Sequence, residues 1–119
     1  MKTNFSKEII KLRIDNDMTQ GLLGERIGLS IAHISAIERG VRFITNSVLK
    51  KLLSVFRLKK AEKEKLTLMA LAARPTVVID ISHASAAKKE MMAKLAMKFN
   101  VLKPKDVKAI NKILGGMPK

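Results

Sequence analysis

The chain has no cysteine, and this absence narrows the chemistry that it can perform. Without thiols, neither a disulfide framework nor a thiolate metal site can form. Its two histidines, His33 and His83, are far apart in the sequence, and the scattered carboxylates include no pair in an apolar setting. These residues offer neither a metal cluster nor a nucleophile beside a base. We therefore expect no catalytic site, no metal ion and no cofactor.

Aromatic residues are almost as scarce, with four phenylalanines and no tryptophan or tyrosine among 119 residues. Such a chain has few of the stacking platforms that hold single-stranded nucleic acid. It carries 24 Lys and Arg residues against 10 Asp and Glu, a net charge of +14 that favours a polyanionic partner. Charge alone does not separate DNA from RNA or from an anionic membrane, but the low aromatic content favours a nucleic-acid duplex.

Long apolar runs are also missing, and those present are too short to span a bilayer. Ser6, Lys7 and Glu8 interrupt any secretory signal near the N-terminus. We therefore expect a cytoplasmic protein with no membrane partner. The length of 119 residues suits one domain with a modest core, plus an appendage.

The most informative segment is residues 19–40, whose pattern indicates two short helices joined at a glycine. Thr19 is a favourable N-cap, and Gly28 suits the left-handed conformation at which helices often end. Ser30 then begins a second helix, which Gly40 ends after about ten residues, a length suited to the major groove of DNA. Two helices joined by a short turn that contains glycine form a helix-turn-helix.

This segment resembles the lambda-repressor/Cro-like helix-turn-helix family, also called the XRE family, and the likeness extends over about residues 5–73. Gly24 departs from the family, which usually has Ala at this position. Both residues are small enough for close helix packing, although Gly lowers helix stability by about 0.5–1 kcal/mol. The resemblance implies a DNA-binding domain of five helices. The matching positions are Leu12-Arg13, Thr19-Gln20, Leu23-Gly24, Gly28-Leu29-Ser30, Ile34-Ser35 and Glu38-Arg39-Gly40.

Residues 1–74 are predicted to form this helix-turn-helix domain. Apolar periodicity places its first helix at about residues 5–16, with Asn4 as cap, and its fifth at about residues 61–73. The fourth helix is expected to begin at Thr45 or Asn46, after a loop. The predicted fold class is all-α: this five-helix domain, then one candidate short strand and a C-terminal helical hairpin.

Residues 75–119 are interpreted as an extension for dimerisation or for binding a protein partner. Residues 76–81 are rich in β-branched side chains and form the one credible strand. Because no second strand is evident, this segment either pairs with its symmetry mate across a dimer or is an extended linker packed on the core.

The hairpin comprises a helix over about residues 85–100 and a last helix opened by a proline. The methionine-bearing stripe of the first helix is either core, the favoured interpretation, or an adaptable partner surface. Val107, Ile110, Ile113 and Leu114 of the second helix are expected to point inward. Two helices are too small to fold alone, so they should pack on the core or on a partner protomer. Their lysines form either a solvated surface or supplementary phosphate contacts. These lysines are Lys88, Lys89, Lys94, Lys98, Lys103, Lys105, Lys108 and Lys112.

The outward residues near the start of the second motif helix should meet base edges. None of them is an Arg, Asn or Gln able to form a bidentate contact with a base. Ile31 would pack on thymine methyl groups, and Ser35 can form only single hydrogen bonds. We therefore expect limited direct readout, with DNA shape and flanking arginines supplying more of the specificity. The predicted base-contacting residues are Ser30, Ile31, Ala32, Ser35 and Ala36.

The resemblance also implies contacts to the DNA backbone and one structural ion pair. Gln20 opens the first motif helix, where backbone N–H groups face the same anion. Arg13 and Glu38 match the pair that ties the first helix of the domain to the end of the recognition helix. The predicted backbone-contacting residues are Gln20, Arg39, Arg42 and Asn46, with Lys50 and Lys51 as weaker candidates.

These features favour a transcriptional regulator that binds double-stranded DNA at the nucleoid, most simply a dimeric repressor of a palindromic operator. One alternative is an antitoxin-like protein, whose tail neutralises a partner protein and whose core represses its own operon. Another is a general basic nucleoid protein without preference among duplex sequences. A small-molecule sensor is a further alternative, but the chain offers little room for a pocket.

Overall fold

The computed structural model describes residues 3–118, which form helices and connecting segments with no strand among them. The chain divides into two compact units, with the boundary between Val77 and Val78. The first unit contains five α-helices, and the second contains two α-helices joined by a single 3-10 turn. The prediction of an all-α fold is confirmed. None of the described helices is long and apolar enough to cross a membrane.

Four of the five helices of the first unit follow a Thr or Ser cap, whereas the fifth follows Lys59. Thr19, Ser30 and Thr45 each accept a hydrogen bond from a backbone N–H in the first turn that follows, which satisfies a donor that the helix leaves unpaired. The first helix differs from the prediction, because Thr3 rather than Asn4 is its cap. The five helices are α1 (Asn4–Asp15), α2 (Gln20–Ile27), α3 (Ile31–Glu38), α4 (Asn46–Val55) and α5 (Lys60–Ala72).

The turn between α2 and α3 depends on Gly28, whose φ of 76° lies in the left-handed region. Its geometry brings the N–H of Leu29 to the carbonyl of Gly24 at 2.8 Å. α3 has eight residues, fewer than expected, because it ends at Glu38 before Gly40 is reached. The second positive-φ glycine, Gly40 at 77°, then redirects the chain toward α4.

The core of the first unit lies where its helices meet. α3 packs on α1 and α2, while α5 packs on α1 and α4. Each helix contributes an almost wholly buried residue: Ile9, Leu23, Ile34, Leu52 and Leu66. Burying a side chain of this size stabilises the fold by about 1.5–3 kcal/mol. The inner side of α3 is therefore anchored in the core.

Residues 76–81 form no strand within the single chain. The segment is irregular and mostly exposed, with 90% of Val78 accessible. A β-branched segment becomes a strand only when another strand satisfies its backbone groups, and none of the described residues supplies one. Pairing with a symmetry mate stays a prediction.

The second unit contains α6 (Ala86–Lys98), a 3-10 turn at Phe99–Val101 and α7 (Pro104–Gly115). Met92 and Leu95 of α6 and Leu102 after the turn are half-buried, and no described residue from 78 onward is fully buried. A pair of short helices has one shared seam and too few residues to enclose a core. The methionine stripe is therefore not a buried core, contrary to the favoured prediction, since its members Met91 and Phe99 are exposed.

The apolar residues of α7 correct a second prediction. We expected them to point inward, but all of them are exposed in the single chain, and Ile113 is 63% accessible. The periodicity of α7 correctly marks one apolar side, but in the single chain that side is not buried. The residues concerned are Val107, Ile110, Ile113 and Leu114.

Candidate nucleic-acid interface

The helix-turn-helix formed by α2 and α3 is closely packed at Gly24. A Cβ atom built on this glycine would lie 2.3 Å from the carbonyl oxygen of Leu29, a separation that real Cβ atoms essentially never show. From the sequence, both Ala and Gly were expected to be small enough for close helix packing here. The structure contradicts that expectation, because the backbone of the turn occupies the space that an alanine methyl group needs.

The outer side of α3 presents small and neutral side chains. Ile34 and Ile37 are buried, whereas Ile31 is 59% exposed and the Ser30 hydroxyl caps the helix at 3.1 Å from the N–H of His33. A Cβ atom on Gly21 would lie 3.5 Å from Cδ1 of Ile31, so this side chain lies beside the start of α2. The remaining predicted base-contacting residues are Ala32, which is exposed, and Ser35 and Ala36, which are half-buried.

A buried ion pair fixes α3 to α1. The Arg13 guanidinium donates from Nε to Oε2 of Glu38 at 2.7 Å and from Nη2 to Oε1 at 3.0 Å, a bidentate arrangement. Its Nη1 donates to the carbonyl of Met18 at 2.9 Å. The side chains of Arg13 and Glu38 are 15% and 5% exposed. The hydrogen bonds to Glu38 raise the pKa of Arg13, an effect that burial opposes and the charge of Glu38 reinforces.

Gln20 belongs to the same network, which sequence reasoning did not anticipate. Its Nε2 donates to Oε1 of Glu38 at 3.0 Å, and the residue is half-buried. One proton of the side-chain amide is thereby committed to Glu38, and the second is left to donate elsewhere. The contact of Gln20 with a phosphate stays a prediction. Because Gln20 and Glu38 are distant in the sequence, no local signal indicates their pairing.

The cationic and amide side chains at the end of α3 and the start of α4 are exposed. Arg39 folds back so that its Nε donates to the carbonyl of Ser35 at 3.3 Å. Arg42 lies in the loop, and Asn46 is the first residue of α4. The Oδ1 of Asn46 accepts a hydrogen bond from Nη2 of Arg74 at 2.9 Å, which leaves the Asn46 amide protons to donate.

Arg74 is the second residue that sequence reasoning missed. It follows α5 and reaches back to Asn46, while its Nε is buried without a hydrogen-bond partner among the described residues. Nothing near Arg74 in the sequence indicates this contact, because the partner is 28 positions away. Through this hydrogen bond, Arg74 orients the Asn46 amide group.

A shallow depression along α4 gathers further positive charge. Arg26 of α2 and Lys50 and Lys51 of α4 line it, and none of the described lining residues is acidic. Elsewhere in residues 3–118, no three His, Asp or Glu side chains come together as a metal site would require. The remaining lining residues are Ser47, Ser54 and Val55.

Comparison with protein families supports the assignment that this geometry suggests. A helix-turn-helix family model matches residues 9–63, which include most of α1, all of α2, α3 and α4, and the beginning of α5. Searches of curated proteins and of solved structures found no significant match. The predicted family resemblance is confirmed by the matched range. Residues 9–63 therefore form a DNA-binding helix-turn-helix domain of the lambda-repressor-like, or XRE, family of transcriptional regulators.

Proposed function

We propose that this regulator is a sequence-specific repressor that inserts the outer side of α3 into the major groove of its operator. The observation that carries the proposal is the division of α3 into two sides. Ile34 and Ile37 anchor it in the core, while Ile31 and the small residues beside it are free to approach bases. A helix whose inner side is anchored in the core and whose outer side carries no long side chain fits the major groove, which is about 12 Å wide.

We propose that contacts to DNA phosphates flank the uncharged residues on the outer side of α3. Arg39 and Arg42 provide exposed guanidinium groups, and Asn46 retains amide donors after accepting from Arg74. The N-terminus of α2 adds backbone N–H groups beside Gln20. Phosphate contacts set register and affinity, whereas base contacts carry sequence information. Because Ile31 and Ser35 form no bidentate pairs, discrimination would rely on thymine methyl groups and DNA shape.

The second unit supports a dimeric protein that acts on a palindromic operator in the cytoplasm. One helix-turn-helix covers a single half-site, and two copies related by a two-fold axis cover both. Ile110, Ile113 and Leu114 of α7 are exposed, and clustered apolar side chains at a surface commonly mark an interface. A second copy of this chain would cover them in an isologous interface.

The same exposed residues favour one alternative function, that of an antitoxin-like protein. In that case, α7 would bind a different small protein, and the first unit would repress the operon that encodes both. A measurement of the oligomeric state distinguishes the two proposed functions. A homodimer in the purified full chain supports the first, whereas a monomer that becomes ordered and complexed only with a co-expressed partner supports the second.

Selection of duplexes from a random library by the full-length protein tests the proposed function. We expect an enriched palindrome whose half-sites are separated by about one helical turn, roughly 34–36 Å centre to centre, or a multiple of it. Enrichment of a lone half-site would contradict the dimer. No enrichment at all would contradict sequence-specific repression and favour a general nucleoid protein.

A further inference from the structure

α7 carries its positive charge and its apolar residues on opposite sides. Lys105, Lys108 and Lys112 are all exposed. At about 100° per residue, their spacing places them within a sector of roughly 60° on the helix. Ile110 and Leu114 are centred on the other side of the same helix. The three ammonium groups therefore form a continuous row, which we call the α7 lysine row.

The charge of this row is not compensated within the second unit. Its three carboxylates are engaged elsewhere: Asp80 accepts from the N–H of Ser82 at 2.9 Å, and Glu90 pairs with Lys94 at 3.3 Å. Asp106 accepts from the N–H of Lys103 at 3.0 Å, at the N-terminus of α7. The salt bridges described within the second unit are limited to that of Lys94 with Glu90, which includes no lysine of the α7 lysine row.

We propose that the α7 lysine row binds phosphates of the same DNA duplex that the helix-turn-helix domain binds. From Lys105 to Lys112 the row extends about 10 Å along the helix, at 1.5 Å per residue. One DNA strand presents a phosphate about every 3.4 Å along the duplex axis, so a row of this length faces roughly three phosphates. Because the strand winds round the axis, consecutive phosphates lie farther apart than this rise, and the long, flexible lysine side chains allow the three ammonium groups to reach two or three of them.

The inference rests on the DNA binding of the first unit and adds a second contact with the same polymer. Once the helix-turn-helix holds a duplex, the second unit meets flanking phosphates at a high effective concentration. Each weak ion pair then contributes to affinity without base recognition. This arrangement assigns a function to the polar side of α7, while its apolar side remains available for a partner copy.

An anionic membrane surface is the competing polyanion, because basic amphipathic helices also bind such surfaces. The observations favour DNA. The apolar side of α7 contains Val, Ile and Leu but no aromatic residue of the kind that anchors interfacial helices. In addition, the same chain contains a helix-turn-helix domain that binds duplex DNA, whereas nothing in the described helices points to a lipid ligand.

The test compares two triple variants of the full-length protein with the wild type. Lys105→Gln/Lys108→Gln/Lys112→Gln removes the α7 lysine row. The control, Lys60→Gln/Lys63→Gln/Lys65→Gln, removes the same charge from exposed positions of α5. Gln and Lys have nearly equal helix propensity, so both variants should keep the helical circular dichroism of the wild type. The ligand is a fluorescent duplex of random sequence, titrated between about 50 and 200 mM salt.

For the α7 variant we expect the slope of log affinity against log salt to become shallower by about 2–3, close to 0.9 for each lost phosphate contact. The control should change the slope by less than about one. Equal changes in both triple variants, or an unchanged slope for the α7 variant, would overturn the proposal. So would a loss confined to binding of phosphatidylserine vesicles. Because the duplex is random in sequence, this result is independent of whether the wild type prefers a particular operator.

Discussion

Gly21 and Gly24 lie within one turn of α2, but their surroundings differ. At Gly24 an added methyl group meets the Leu29 carbonyl, whereas at Gly21 it makes ordinary contact with the Ile31 side chain. Gly→Ala within a helix gains about 0.5–1 kcal/mol of stability where space allows. Overpacking against backbone costs about 1–3 kcal/mol. The surroundings of each glycine therefore decide the sign of its substitution.

We predict that Gly24→Ala lowers the free energy of unfolding by about 1–2 kcal/mol, because backbone must move to admit the methyl group. Gly21→Ala, the matched control, should raise it by up to about 1 kcal/mol. Urea denaturation of the two variants and the wild type measures both effects. Stabilisation by Gly24→Ala, as helix propensity alone predicts, would show that the turn is less closely packed than described.

The two side chains of the Arg13–Glu38 ion pair are exposed to solvent to different extents. The Glu38 side chain is 5% exposed, whereas the Arg13 side chain is 15% exposed and can relax outward. Removing Arg13 leaves a buried carboxylate with only Gln20 as hydrogen-bond donor. Removing the charge of Glu38 leaves a guanidinium that still donates to Met18 and can reach water. The two halves of the pair are therefore not equivalent.

We expect Arg13→Met to lower the free energy of unfolding by about 3 kcal/mol, the cost of leaving a buried charge unpaired. Glu38→Gln should cost distinctly less. Arg26→Met, at an exposed arginine, is the control and should change stability by no more than about 0.5 kcal/mol. If all three variants unfold at similar urea concentrations, the pair behaves as a weak surface salt bridge and the inference is wrong.

At the scale of the helices, local signals in the sequence were sufficient for the starts of α2, α3 and α4. Thr19, Ser30 and Thr45 act through hydrogen bonds that span only three residues, and Gly28 acts through its own φ angle. Signals of this kind can be recognised in a sequence because the residue that starts or ends the helix lies next to the helix in the chain. The start and the packing side of α3 could therefore be predicted closely, whereas its end at Glu38 comes earlier than Gly40 suggested.

Other features of the site could not be predicted, because they depend on residues that meet only after folding. The contacts of Gln20 with Glu38 and of Arg74 with Asn46 join distant positions. Periodicity identified the apolar side of α7 but could not indicate whether anything covers it. Likewise, the β-branched residues at 76–81 favour a β-strand, but a strand forms only when another strand pairs with it.

At the scale of the whole molecule, the exposed apolar side of α7 leads to a prediction about assembly. We predict that the full chain is a dimer at micromolar concentration and that Ile110→Asp or Leu114→Asp makes it monomeric. Both residues are exposed in the single chain, so a charge there should disrupt association without unfolding the unit. Lys108→Gln changes the net charge by the same amount on the opposite side of α7 and should leave the dimer intact. Sedimentation velocity measures the outcome, and a monomeric wild type or a dimeric Leu114→Asp variant would contradict it.

The central claim is that the outer side of α3 reads DNA sequence, and fluorescence anisotropy with a selected operator and a scrambled duplex tests it most directly. Ile31→Ala and Ser35→Ala should reduce discrimination between the two duplexes by about 1–3 kcal/mol per affected base pair, with little change in non-specific binding. Arg42→Ala should instead weaken binding to both duplexes, and the slope of log affinity against log salt should become shallower by about one. A wild type that binds both duplexes equally, or α3 variants that weaken both alike, would contradict the claim.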